Sequence, residues 1–466
     1  MKKLFILTVL AGSLFNTSCR KIEVDGGTTV TPPGSNENTI LEGRITENRT
    51  LKAQYTYKLR GLVYVTNGAI LTIEPGTKIV GEQGQKGGLI ICRSAKIIAD
   101  GTADKPIVFT SESPNPVRGD WSGVVLLGNA PTNASYNGQA GVGEIEGGVN
   151  NSDGLGLYGL GASSNPADNS GILRYVRIEY AGYAFLPDKE INGLTFGGVG
   201  SNTIIDHVQV SYANDDSFEW FGGTVNCKYL ISYRTLDDDF DTDNGFSGKV
   251  QFGIALRDSS IADISNSESF ESDNDANGSS LTPQTSAVFS NMTIVGPKVN
   301  LASGFNTTYF KWGAQIRRNS TISIFNSLIM GYPNGLYIDA TKGVPTDNNI
   351  PSSLFVQNTI IAGCPTPVLY GASSTTPTGA TSATIDAWFN TASYGNSILT
   401  NNTDVGLTAP FNYISPDFNP SSAASPAATG SSFSNTKLSG SFFTSVPYKG
   451  ACAVGDSWWK AWTKFM

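Results

Sequence analysis

The chain has 466 residues, a formal net charge of -8, and only 15 % Asp, Glu, Lys and Arg. An acidic balance excludes a nucleic-acid partner, which needs a basic face. The 52 glycines, with abundant Asn, Ser and Thr, argue against helices and for strands joined by turns.

Residues 1–19 read as an export signal. Lys2 and Lys3 precede the apolar run "LFILTVLAGSLF", which is too short to span a bilayer. "NTSC", ending at Cys19, resembles the lipobox of Gram-negative lipoproteins, although Asn16 departs from the small or apolar residue usual there. The resemblance implies an acylated Cys19 and a lipid anchor on the outer membrane or cell surface; the alternative is an ordinary secretory signal. Residues 20–39 have little to bury and read as a flexible tether.

From residue 40 onward short strands recur. "AILTIEPGTKIV" and "AKIIADGTADKPIVF" align at a step of 25, Ile73 on Ile98 and Gly76 on Gly101. "ILRYVRIEYAG" from Ile172 and "IIDHVQVSYAN" from Ile204 align at 32, and "CKYLISY" from Cys227 follows "DHVQVSY" from Asp206 at 21. "GIALRDSSIADISNS" from Gly253 matches "GAQIRRNSTISIFNS" from Gly313 at 60, and "FNSLIMG" from Phe325 matches "QNTIIAG" from Gln357 at 32. One apolar strand per 20 to 35 residues is the mark of a solenoid, in which stacked coils bury a continuous column. Propeller blades would repeat near 40 to 45 residues, and a sandwich would show no internal homology. The fold class predicted is all-β, a single-stranded right-handed parallel β-helix over 40–466 with long loop insertions.

The stretches "LTIEPGTKIV…AKIIADGTADKPIVFTS" and "GDWSGVVLLG" resemble the opening coils of the right-handed parallel β-helix superfamily that includes pectin lyases. "LTFGGVGSNTIIDHVQVSYANDDSFEWFGGTVNCKYLISYRTLDDDFDTDNGFSGKVQFGIALRD" and the closing "YKGACAVGDSWWKAWTKF" are similar to a family of secreted or lipid-anchored β-helix proteins, most without an assigned activity. The resemblance implies a fold and an address, and no mechanism.

"DDSFEWFGG" from Asp215 and "DDDFDTDNG" from Asp237 repeat at 22, and "ESFESDNDANG" from Glu268 continues the series. Coils about 4.8 Å apart would set Glu219, Asp241 and Glu271 in one row and Asp243 on Asp273 in another. Such crowding asks for a cation, raised pKa values or divergence into water. Calcium suits the oxygen ligands Asp241, Asp243, Glu271, Asp273, Asp275 and Asn277, and "DNDANG" begins like a calcium loop, without the closing Glu. A solvated acidic cluster with stacked side chains is the plain alternative.

Lyases of this superfamily use calcium-bound carboxylates with an Arg or Lys base, and its hydrolases use two or three aspartates. The resemblance therefore makes Asp215, Asp216, Asp238 and Asp239 candidate acids, and Arg257 or Arg317 with Arg318 candidate bases. The polygalacturonase motif set is absent, and the sole histidine, His207, reads as an outward strand residue without a role. Trp220, Phe221, Tyr309 and Trp312 are candidate platforms for a sugar face. Trp458, Trp459 and Trp462 read as an end cap. Cys92 and Cys227 read as core residues; Cys364 and Cys452 lie in loops, and whether they form an export-compartment disulfide stays open. The leading functional reading is a lipid-anchored surface protein that binds a polysaccharide; a carbohydrate-active enzyme and a passive surface protein are the alternatives.

Overall fold

The structure is a computed structural model that describes residues 37–184 and 191–466. The signal, Cys19 and nearly all of the tether lie outside the described residues. The chain winds into a right-handed parallel β-helix, a 26-stranded assembly in which each strand pairs in parallel with its counterparts one coil away. Inward positions are apolar and fully buried. Val176 and Ile178 pair with Val208 and Val210, while Arg177 between them stays outside, as a period of two requires.

One wall is a ladder of short strands: Leu194–Gly197, Phe218–Phe221, Phe240–Asp243, Phe270–Ser272, Trp312–Arg317, Asn334–Asp339 and Thr366–Gly371. Phe218, Phe240 and Phe270 pile up inside it, with ring centroids 5.7 and 5.6 Å apart. Each buried phenylalanine contributes about 1.5–3 kcal/mol, and each ring pair about 0.5–1.5 kcal/mol more.

The other walls come from longer strands that bend midway: Gly171–Glu179, Ile204–Ser211, Asn226–Tyr233, Lys249–Leu256 and Val288–Val295. The bend falls on one residue per coil, and that residue is left-handed every time: Tyr175, His207, Tyr229, Phe252, Asn291, Asn326 and Asn358, with φ between 49° and 64°. Asparagine enters this region at low cost, whereas bulky residues rarely do. The four bulky rungs are held by stacking: His207 lies 4.4 Å from the Tyr175 ring and 4.3 Å from the Tyr229 ring, and Tyr229 lies 5.0 Å from Phe252.

The steps of 32 and 22 that join Ile172 to Ile204, Phe218 to Phe240 and Phe325 to Gln357 are the observed register. The others shift. Ile205 pairs with Cys227, so the predicted step of 21 is 22. Thr72 pairs with Ile98, so 25 is 26; Gly76 is left-handed at φ 86° and Gly101 is not. The alignment at 60 is wrong: Gly253 pairs with Met292 in a bent wall, whereas Ala314 pairs with Phe270 in the ladder wall.

The end cap is also different from the prediction. The short helix Ser382–Phe389, opened by a Thr381–Thr384 capping box, inserts Ile385, Trp388 and Phe389 into the end of the core. The closing tryptophans instead belong to a strap that runs back along the outside of the bend column. Trp462 meets Tyr175 and His207 edge-on, Trp458 packs on Tyr229, and Tyr448 on Phe252. Strap carbonyls also take the bend amides, Tyr448 O from Asn291 at 3.0 Å and Ser432 O from Asn326 at 3.1 Å. Cys92, Cys227, Cys364 and Cys452 are all buried free thiols, which decides the open question of a disulfide: Cys364 and Cys452 sit in separate core clusters.

Candidate functional site

The corner that leads into the ladder wall carries the acids. Asp216 stands two residues before Phe218, Asp238 before Phe240 and Glu268 before Phe270, so the stacked rings stack the carboxylates too. Each coil ties to the next through them. The Asp238 N–H donates to Asp216 Oδ1 at 2.7 Å, and the Glu268 N–H donates to Asp238 Oδ1 at 2.6 Å. On the strand itself Glu219 pairs with Asp241 and Asp241 with Glu271, the row expected from the sequence.

Three groups of carboxylates converge, each with oxygen atoms within 4.8 Å of one another: Asp215, Asp216 and Asp237; Asp216, Glu219 and Asp241; Asp238, Glu268 and Glu271. Two charges that far apart repel by about 3 kcal/mol at an effective dielectric near 20. Burial first, and neighbouring carboxylates second, push Asp216, Glu219, Asp238, Asp241 and Glu268 well above the usual carboxylate range. Glu268 is only 2 % exposed, and its Oε1 is sealed from water without a hydrogen-bond partner; Asp237 Oδ1 is sealed likewise. Buried acceptors are nearly always satisfied, so these oxygens mark an unmet requirement.

A pair of arginines borders the Glu271 end. Arg317 pairs with Glu271 and, at 3.1 Å, with Asp273, which also accepts from Arg318 at 2.8 Å. Beyond Glu271 along its own row come Gln315 and then Tyr337, whose ring stacks on Trp312 at 4.8 Å. An acidic patch, an arginine pair and an aromatic platform thus share one wall.

The chain matches the family described as "Pectate-lyase like beta helix domain" over residues 43–405. It belongs to that family. No curated protein and no solved structure matches it.

Within this pectate-lyase-like β-helix the candidate residues sort into three fates. Asp215, Asp216, Asp238, Asp241 and Glu271 meet in the patch, while Arg317 stands at its edge. Asp243, one rung from Asp273 and likewise pushed up by burial, borders the patch. Asp239 and Arg257 do not belong to it. Both are fully buried in the interior, where Arg257 donates to Asp239 at 3.3 Å and Ser232 and Ser269 complete the carboxylate. They form a structural pair. Trp220 is no platform either, since it is fully buried between Phe196 and Phe246. Phe221 packs on Tyr158, and Tyr309 is half-buried.

The six calcium candidates do not converge. Asp273 is occupied by two arginines, Asp275 accepts from the Asn277 and Ser279 amides at 2.9 and 3.0 Å, and Asn277 points outward. The "DNDANG" segment is a self-satisfied turn. The sequence reading passed over Asp237, Glu268 and Tyr337 as site residues. For Glu268 a signal existed, the acid two residues before the Phe in each of the two preceding coils, Asp216 before Phe218 and Asp238 before Phe240.

Proposed function

We propose that the protein is an exported, lipid-anchored surface β-helix that binds a saccharide at its ladder wall with the help of a divalent cation. Glu268 carries the cation half of this reading: a buried carboxylate oxygen with no partner, facing other carboxylates, is what a hard cation would satisfy. Asp238, Glu268 and Glu271 would hold the ion, which would supply positive charge toward sugar hydroxyls or carboxylates. Trp312 and Tyr337 offer the apolar face that sugar C–H groups stack on, and Arg317 offers a donor between them. The anchor rests on Cys19 and the apolar run before it. Calorimetry with calcium chloride tests the first part, where a Glu268→Gln protein should release no heat. A polysaccharide array read with calcium and with EDTA tests the second. Labelling with a palmitate analogue, lost in Cys19→Ser, tests the third.

A carbohydrate-active enzyme is the second reading. It is favoured by the raised pKa values at Asp216 and Asp238, since an acid that keeps its proton beside an ionised partner can serve as a general acid. Release of reducing ends, or ultraviolet absorbance from unsaturated uronate, that disappears in Asp216→Asn with Asp238→Asn would establish it.

A further inference from the structure

Where the bent walls end, a second column runs beside the acidic corner. Tyr180, Tyr212 and Arg234 occupy the same place in three successive coils, all left-handed at φ 62°, 57° and 53°. The two tyrosine rings stack at 5.1 Å with planes 6° apart, and the Arg234 guanidinium lies 5.4 Å from the Tyr212 ring. Arg118 comes onto the same ring from another loop, at 5.1 Å. That loop is fixed: the Gly119 N–H donates to Ala181 O at 3.0 Å and the Val117 N–H to Asp120 Oδ2 at 3.1 Å.

The two arginines differ in how they are matched. Arg234 is neutralised by Asp258, with Nε donating at 2.8 Å. Arg118 Nη1 is sealed from water and has no acceptor among the described residues. A guanidinium left that way lacks an acceptor, and planar oxyanions fit its fork. The space before it is a cavity of about 510 Å³, whose lip is the apolar Pro116, Val117 and Ile261. A neighbouring cavity of about 450 Å³ shares Pro116 and Tyr180 with it and adds Lys78, Arg177 and Lys464 against Glu179. Five cationic side chains thus face two anionic ones and the Met466 oxygen, which accepts from Tyr212 at 2.6 Å and from Arg234 at 3.2 Å, on a chain whose net charge is -8.

We propose that this trough is a second binding site, for an acidic saccharide, with the carboxylate or sulfate of one sugar on the side of the Arg118 guanidinium that lines the cavity and the sugar's apolar side against the tyrosines and the Val117 lip. It needs no cation and does not depend on the reading of the ladder wall. Arg118 is the specificity residue, the cationic side chains of the adjoining cavity receive the next acidic sugar, and a neutral chain gains nothing there.

The test is calorimetric titration of the full chain in EDTA with three probes of equal length: an oligogalacturonate, a sulfated oligosaccharide and a neutral oligosaccharide. Binding of at least one acidic probe, none of the neutral one, and a loss of about tenfold or more in Arg118→Met are expected. The acidic probe that binds identifies the oxyanion. Val117 is 59 % exposed, so Val117→Glu leaves the fold intact and should weaken binding similarly by placing a negative charge at the lip. Glu268→Gln should bind the acidic probes as the parent does, which separates this site from the ladder wall. The proposal is overturned if the parent binds no acidic probe in EDTA, or if Arg118→Met and Val117→Glu both bind as tightly as the parent.

Discussion

The same coils build two columns that end differently. At the bend, Tyr175, His207, Tyr229 and Phe252 are strained into left-handed backbone, yet rings stack on rings and the strap covers them. At the next corner along the chain, Asp216, Asp238 and Glu268 repeat a carboxylate instead. There the backbone amides of adjacent coils satisfy only part of each group, and a buried oxygen of Glu268 is left over. Repetition multiplies whatever the coil carries. Aromatic rings answer one another, but like charges do not, so the acidic column must hold protons or, on the reading proposed above, take a cation, while the bend column needs only the chain itself.

The largest effect that would break this contrast lies on the covered side. Trp462 is fully buried against Tyr175 and His207, so Trp462→Ala should cost about 3–5 kcal/mol in urea unfolding and leave cation binding unchanged. On the acidic side the order reverses. Glu268→Gln should abolish the rise in melting temperature on adding calcium, yet leave the cation-free protein as stable as the parent or more so, because it removes a buried acid that burial and neighbouring carboxylates disfavour in its ionised form. Trp312→Ala should weaken saccharide binding by about 1 kcal/mol, read by calorimetry in calcium.

A pH series sharpens the comparison. Asp273 is pushed from 3.8 to about 6, chiefly by burial, and Asp216, Asp238 and Glu268 move in the same direction. A raised folded pKa means that the folded chain holds protons the unfolded chain has released. Its contribution is therefore full below about pH 3.8 and lost as the pH rises through about 6 for Asp273. Melting curves in EDTA should fall over that window, and calcium should flatten the fall. The smallest effect is at the exposed Asn277: Asn277→Ala should change neither calcium binding nor stability beyond about 0.5 kcal/mol.

Much of the acidic wall was legible because Phe218, Phe240 and Phe270 are inward anchors, and an anchor that must stack fixes the register of its neighbours. The rows of Glu219, Asp241 and Glu271 followed directly. What failed was any inference carried around a corner. Asp238 and Asp239 are adjacent in sequence, yet the chain turns between walls there and sends one to the patch and the other to Arg257 in the interior. Alternation holds only along a strand. The segments at Gly253 and Gly313 look alike because both alternate apolar and polar residues, a pattern that does not say which wall a strand serves. The bend was hidden because Tyr, His and Phe seldom adopt positive φ. The strap was hidden because it repeats nothing: its partners, such as Gln209 with Lys464 at 2.9 Å, lie 255 positions away.

That strap changes how the molecule comes apart. A stack of repeats ordinarily frays from its ends, each unit held only by its neighbours. Here a single segment grips coil after coil, from Asn326 through Asn291 and Phe252 to His207 and Tyr175. A pull on that segment loads many coils at once in shear, so the coil would resist traction as one body rather than unzip turn by turn.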